Sequence, residues 1–159
     1  MERVRGRARA PFQVLVLLFR LVGAGEAEFA VLRRTDDGHW QGIAGGGEDD
    51  ETITEAARRE ALEEAAVPPT ACFYRLKTQD FVPVSCFPAA TEWPQDTYVV
   101  PQHFFACDAT GLEPMVSDEH TDLVWLPYGE AHDRLRYDSN KTALWELSER
   151  LRRQDLLSA

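Results

Sequence analysis

Three glutamates, Glu60, Glu63 and Glu64, lie three and four residues apart in a segment with helical periodicity. Side chains at these spacings are neighbours on a helix, where like charges repel each other. Glu60 and Glu64 share the helical stripe of Ile53 and Ala57, which is the apolar face that turns toward the core. Carboxylates buried in this way are costly or become protonated unless a cation lies between them.

Two interpretations are consistent with these carboxylates: a metal site and a solvated surface. Hard oxygen ligands in a cluster favour Mg²⁺, which binds one or two carboxylates and completes its coordination with waters and substrate phosphates. The simpler interpretation is a solvated acidic face, which is the usual role of a charge run on a helix. The three glutamates alone do not decide between the two.

The helix that carries the glutamates is predicted over residues 52–67. Thr52 and Glu55 have the spacing of a capping box, and Pro68-Pro69 end the helix. Upstream, β-rich runs at 11–21 and 28–34 flank the turn at 23–25 and predict a hairpin.

The remaining segments predict three strands, a long loop and a last helix. The strands span 73–81, 102–107 and 122–126, and the helix spans 140–154. Residues 83–101 contain four prolines and are interpreted as a lid over a pocket. These elements predict an α/β or α+β domain with helices packed on a mixed sheet. Residues 1–10 are expected to form a basic tail, and 11–157 a single domain.

Composition excludes several classes of partner. The chain has 159 residues and a formal net charge of −10, which argues against binding a nucleic-acid polymer. No apolar run approaches the roughly 20 residues that span a bilayer. The three cysteines are widely spaced, which suits a reducing cytoplasm. No zinc pattern or serine–histidine–aspartate triad is apparent.

The sequence around the glutamates resembles the Nudix box. From Gly45 it reads GGGEDDETITEAARREALEEAAV: a glycine, five residues, Glu51, seven residues and then REALEE at 59–64. It departs from the family pattern at Asp50 and Ala66, where glycine is usual. Neither position supplies a ligand in the family, so the difference concerns loop geometry.

This resemblance implies a Nudix fold, in which a mixed β-sheet is sandwiched between helices, and metal-assisted hydrolysis of a pyrophosphate bond. It implies Mg²⁺ as cofactor, with Mn²⁺ as a substitute, and one of the glutamates as general base. An ion pair between Arg59 and Glu51 would brace the loop against the helix. The implied metal ligands are Glu60, Glu64, Glu63, Glu119 and the backbone carbonyl of Ala44.

Within the family, the sequence is most similar to dihydroneopterin triphosphate pyrophosphohydrolases, which also hydrolyse dATP-like nucleotides. The supporting stretches are RRTDDGHWQGIAGGG, EHTDLVWL and YDSNKTALWEL. The resemblance implies that Arg33 and Arg9 contact phosphate and that Asn140 reads the edge of a base or pterin ring. The candidate ring-binding aromatics are Tyr137, Phe81, Phe87 and Trp40.

Simpler roles remain open for several of these residues. Glu119 would otherwise be a surface acid in a turn, Arg33 an exposed strand residue, Asn140 a helix N-cap and Trp40 a core residue. The function also has alternatives: housecleaning of oxidised nucleotides or other nucleoside diphosphate-linked compounds, or a non-catalytic ligand-binding module. Many Nudix proteins dimerise, and the sequence leaves both a monomer and a homodimer open.

Overall fold

The structure is a computed structural model that describes residues 8–159. Its strands and helices, in chain order, are β1 Arg9–Gly23, β2 Glu26–Arg34, β3 Trp40–Gln41, β4 Ile43–Glu48, α1 Ile53–Ala65, β5 Cys72–Pro83, β6 Val99–Asp108, β7 His120–Leu126, α2 Tyr128–Arg134, α3 Asp138–Arg153 and β8 Leu157–Ser158. Two short 3₁₀ helices, Val84–Cys86 and Pro88–Glu92, lie between β5 and β6.

All eight strands belong to one mixed sheet. Its main order is β3-β2-β1-β6-β5-β8, while β4 pairs with β1 and β7 pairs with β2. Strand β1 pairs in parallel with β6 and antiparallel with β2 and β4. It is therefore the strand on which both the sheet and the glutamate helix depend.

The two faces of the sheet carry separate hydrophobic cores. Val14 and Val16 of β1 pack on the face covered by α1, whereas Leu15 and Leu17 pack on the face covered by α2 and α3. Successive strand residues point to opposite faces, and a strand covered on both sides is apolar almost throughout. This arrangement confirms the predicted mixed sheet sandwiched between helices.

Most of the predicted elements are present. The hairpin of β1 and β2, the three later strands and both long helices occur close to the expected positions. The strands β3, β4 and β8 and the helix α2 were not predicted, because they are short or glycine-rich. The predicted tail lies mostly outside the described residues, and Arg9 and Ala10 already belong to β1.

The loop at 83–101 is more ordered than a proline-rich lid suggests. It contains both 3₁₀ helices, and the buried Trp93 donates a hydrogen bond from Nε1 to the Arg9 carbonyl at 2.8 Å. Phe87 packs against Trp93, with ring centroids 5.8 Å apart. Within residues 8–159, no helix is long and apolar enough to span a membrane.

Helix α1 begins with the predicted capping box and ends in an unusual cap. Thr52 accepts a hydrogen bond from the Glu55 N–H, and the Glu55 side chain accepts one from the Thr52 N–H. The helix ends at Ala65, because Ala66 adopts a left-handed conformation with φ of 56°. A side chain in this region is strained, and glycine is the usual residue there.

We predict that Ala66→Gly raises the free energy of unfolding by about 1 kcal/mol, because it removes the strain of a left-handed alanine. Chemical denaturation monitored by circular dichroism measures this change. Ala65→Gly is the matched control. It lies in the last helical turn and should lower stability, because glycine weakens a helix and the buried methyl group is lost. Equal effects of the two substitutions would contradict the prediction.

Candidate active site

Helix α1 places two carboxylates on its buried face. Glu60 and Glu64 are 8% and 4% exposed, and they share that face with Ala57 and Ala61. Glu63, by contrast, points outward, with 56% of its side chain exposed. The alanines are small enough to let α1 approach the sheet closely, and this brings Glu60 against Gly45 of β4.

Two adjacent glycines of β4 make room for charged groups. A Cβ atom on Gly45 would overlap the carboxylate of Glu60, and one on Gly46 would overlap the guanidinium of Arg9. Glycine is needed at both positions because a negative side chain, Glu60, and a positive one, Arg9, lie against the backbone of β4. The glycines of the box thus have a packing role that their spacing alone does not show.

Arg59 is the centre of an ion-pair network. Its Nε donates to Glu51 at 2.8 Å, and its terminal nitrogens contact Glu60 at 2.9 Å, Glu63 at 3.1 Å and Glu48 at 3.4 Å. It also donates to the Gly46 carbonyl at 2.7 Å. The predicted Arg59–Glu51 ion pair is therefore present, and it joins the box loop to the helix.

Negative charge is in excess around this network. Burial raises the pKa of Glu60 to about 7, against the opposing effect of Arg59. Burial raises the pKa of Glu64 to about 10. A hydrogen bond with Glu119 and repulsion from Glu60 and Glu119 act in the same direction. The guanidinium groups of Arg59, Arg9 and Arg34 act on this cluster, which contains six carboxyl groups: Glu48, Glu51, Glu60, Glu63, Glu64 and Glu119. Because the acids outnumber the arginines, the site favours an additional cation.

The donor set fits a magnesium ion that is shared with a substrate. In the part of the chain that the structure describes, no three acidic, histidine or cysteine side chains form a complete metal site by themselves. Glu64 Oε2, however, is buried without a hydrogen-bond partner, which leaves a carboxylate oxygen available to a cation. Mg²⁺ needs only one or two carboxylates when phosphates and waters supply the other ligands.

A cavity of about 580 Å³ lies beside β4. Its walls come from β1 to β6, the start of α3 and the segments that follow β2 and β5. Among the predicted site residues, those that line it are Ala44, Phe81, Phe87, Tyr137 and Asn140. Ala44 is adjacent to Gly45, which contacts Glu60, so β4 connects the cavity to the carboxylate site.

Asn140 is buried in the first turn of α3 rather than at its N-cap, which is Tyr137. Its side-chain oxygen accepts a hydrogen bond from the Gly42 N–H at 3.1 Å and so ties α3 to the segment before β4. This contact uses the side-chain oxygen, and Asn140 also lines the cavity. The N-cap alternative was therefore wrong.

Two predicted substrate contacts are placed away from the cavity lining. Arg33 is exposed and donates to the Gly38 carbonyl at 3.2 Å, whereas its neighbour Arg34 lines the cavity. Adjacent strand residues point to opposite faces, so only one of the two arginines can face the site. Trp40 packs against the core below α2, with the Arg134 guanidinium 4.9 Å from its ring centre.

Arg9 lies between the carboxylates and the aromatic wall. Its guanidinium carbon is 5.3 Å from the centre of the Phe87 ring, and its terminal nitrogen donates to Gln13. Its Nε is buried without a partner, and Glu60 and Glu48 are close enough to affect its pKa. It therefore has a donor available beside the site.

Eight polar residues that line the cavity were not predicted: Gln13, Arg34, Asp36, Asp37, Gln41, Asp80, Gln102 and Ser139. Gln13, Gln41, Asp80 and Gln102 come from four different strands. Gln41 and Gln102 are buried, at 6% and 7% exposure. A polar residue inside an apolar strand pattern was the available signal, but only the strand pairing shows that they meet.

Comparison with known proteins identifies the family. The sequence model of the NUDIX domain matches residues 11–146. This chain belongs to the Nudix family. It is therefore a hydrolase of the class that acts on pyrophosphate bonds, and members of the family bind small nucleotide-like molecules.

Solved structures of other Nudix proteins agree with this assignment. A Nudix-family protein from Listeria monocytogenes is 42% identical to this chain, with a TM-score of 0.85. The match covers 94% of this chain and 100% of the Listeria chain. The Escherichia coli dihydroneopterin triphosphate pyrophosphohydrolase is 19% identical, with a TM-score of 0.71 and coverage of 90% and 98%. A Caenorhabditis elegans Ap4A hydrolase is 18% identical, with a TM-score of 0.68 and coverage of 89% and 98%. The last two show the fold alone, and no curated protein matches the sequence.

We predict that Gly45→Ala lowers kcat/KM of this Nudix hydrolase by about 100-fold, because the new methyl group displaces the Glu60 carboxylate from its position. Steady-state kinetics on a hydrolysed triphosphate measures the effect. Gly129→Ala is the control, since a Cβ atom there meets nothing within 4 Å. Activity of Gly45→Ala close to wild type would show that this carboxylate position is not needed.

Proposed function

We propose that the protein is a Mg²⁺-dependent pyrophosphohydrolase. Its substrate would be dihydroneopterin triphosphate or a (deoxy)nucleoside triphosphate, which it would cleave to the monophosphate and pyrophosphate. The observation that carries this proposal is the pair of buried carboxylates, Glu60 and Glu64, one strand residue away from an aromatic-walled cavity. The fold shared with the Escherichia coli pyrophosphohydrolase supports it.

The carboxylate site would hold the metal and the triphosphate. Mg²⁺, or Mn²⁺ in its place, would supply positive charge against the phosphates and lower the pKa of a water molecule. The residues that would hold it are Glu60, Glu64, Glu63, Glu119 and the backbone carbonyl of Ala44. One glutamate of this set would act as general base. Arg59 would keep Glu60 and Glu63 in place through the ion pair that it forms with each of them.

The cavity would hold the base or pterin ring of the substrate, and Arg9 would contact one of its phosphates. Tyr137, Phe81 and Phe87 offer aromatic faces, and stacking on such a face contributes about 1–3 kcal/mol per base. The unpartnered Nε–H of Arg9 is suited to a phosphate oxygen. Arg34 lines the cavity whereas Arg33 does not, and it would contact a phosphate in exchange for its present ion pair with Asp36.

The expected setting is the cytoplasm. The cysteines Cys72, Cys86 and Cys107 are all free thiols, as a reducing compartment favours. The net charge of −10 also favours a small phosphorylated substrate that arrives with its cation over a nucleic-acid polymer.

Product analysis tests the proposal. We expect purified protein with Mg²⁺ to release pyrophosphate from dihydroneopterin triphosphate or from a deoxynucleoside triphosphate. The panel also contains 8-oxo-dGTP, a nucleoside diphosphate sugar and a dinucleoside polyphosphate, with chelator as the metal-free control. Hydrolysis of the last two compounds only would retain the bond type but contradict the proposed substrate class.

We predict that Glu64→Gln folds normally but loses most Mg²⁺-dependent turnover, by about 100-fold or more, because a buried anionic ligand is removed. Thermal unfolding gives a second readout, since Mg²⁺ with a substrate analogue stabilises only a protein that binds it. That stabilisation should be present in wild type and absent in Glu64→Gln. The exposed Glu130→Gln on α2 is the control. Turnover of Glu64→Gln within twofold of wild type would exclude this helix as the metal site.

A further inference from the structure

Three polar side chains form a row across the floor of the cavity. Gln13 of β1 is the strand partner of Gln102 of β6, and Gln102 is the partner of Asp80 of β5. All three line the cavity, together with Phe87 and Tyr137. Because partners on paired strands point to the same face, the row presents its polar atoms side by side to whatever enters.

The chemistry of each partner fixes how the Gln102 and Asp80 groups are oriented. Gln102 contacts Asp80 through its amide nitrogen, Nε2, at 2.9 Å from Oδ1. A carboxylate only accepts hydrogen bonds, so the nitrogen of the amide must face it. The Gln102 carbonyl oxygen and the second Asp80 oxygen then remain as two acceptors beside the cavity.

The same reasoning orients Gln13 in the opposite sense. The Arg9 guanidinium donates to the Gln13 side-chain oxygen. An arginine has donors only, so the oxygen of the amide must face it and the amide nitrogen remains as a donor. Along the row from Gln13 through Gln102 to Asp80, the cavity therefore presents a donor followed by two acceptors.

We propose that Gln13, Gln102 and Asp80 select a 2-amino-4-oxopyrimidine ring, the ring edge that guanine and pterins share. This edge presents a carbonyl oxygen, a ring N–H and an amino group, which is an acceptor followed by two donors. The inference rests on the proposed function, because the ring is part of its triphosphate substrate. These residues are specificity determinants and take no part in the cleavage of the phosphate bond.

Adenine is disfavoured by the same row. Its edge offers an amino donor and a ring nitrogen that only accepts, so a lone pair would face the acceptors of Gln102 or Asp80. An acceptor that loses its water and gains no donor costs binding energy. A site built from such polar groups rejects a ring of the wrong polarity more strongly than an apolar pocket does.

The test compares substrates that differ in one group. dGTP and dITP are the same except for the 2-amino group, and dihydroneopterin triphosphate carries that group on a pterin. We expect wild-type kcat/KM to be at least about tenfold higher for dGTP or dihydroneopterin triphosphate than for dITP, the discrimination that a bidentate contact provides. dATP should be a poorer substrate than dGTP. Which compound has the advantage over dITP distinguishes a guanine from a pterin substrate.

Asp80→Asn tests the residue directly, because it keeps the shape of the side chain and replaces one acceptor with a donor. The advantage over dITP should fall by about tenfold or more, because the side chain no longer presents two acceptors. Asp133→Asn removes the same charge from a side chain that is 90% exposed on α2, and it should leave that advantage unchanged. Thermal unfolding of both variants checks that they are folded.

Binding of the products separates the two proposals. Calorimetry with GMP, dihydroneopterin monophosphate and IMP measures ring selectivity without hydrolysis, and the product of the favoured triphosphate should bind at least about tenfold more tightly than IMP. A preference for GMP in a protein that cleaves no triphosphate would contradict the proposed function and support the ring assignment. Equal binding of GMP and IMP, together with equal kcat/KM for dITP and both amino-bearing triphosphates, would overturn the ring assignment.

Discussion

Burial of negative charge on the core-facing side of α1 is the constraint on which the site depends. Glu60 and Glu64 occupy positions where an apolar side chain would normally pack. Their burial requires small neighbours, and Ala57 and Ala61 supply them on the helix while Gly45 supplies space on β4. The Arg59 network offsets part of the charge and joins helix to loop, but it leaves a buried oxygen of Glu64 unpartnered. The cation proposed for this site would therefore also stabilise the region in which it binds.

The sheet separates two tasks that the enzyme must combine. One face of β1 packs under α1 and the carboxylates, and the other packs under α2 and α3 beside the cavity. Strand β4 contacts both sides, because Ala44 lines the cavity while Gly45 lies against Glu60. The proposed substrate would thus extend from a ring in the cavity to a phosphate at the carboxylate site across the backbone of a single strand.

The sequence allowed prediction of features that depend on local spacing. The capping box, the hairpin, the buried stripe of α1 and the Arg59–Glu51 pair are all encoded within a few residues or in one continuous motif. Features that depend on strand pairing were missed. Arg33 and Arg34 have the same chemistry, and only the face of β2 decides which lines the cavity. The row of Gln13, Asp80 and Gln102 brings together residues that are far apart in the chain and share no motif.

Arg9 connects the two halves of the site. Its guanidinium lies over Gly46, stacks near Phe87 and donates to Gln13, while the Arg9 backbone carbonyl holds Trp93 and with it the segment that follows β5. Its positive charge is close to Glu60, and its hydrogen bond fixes which end of the Gln13 amide faces the cavity. One residue at the start of the first strand therefore contributes to charge balance at the carboxylates and to polarity at the ring. The proposed metal site and the proposed ring selectivity consequently depend on the same strand, although they use different side chains.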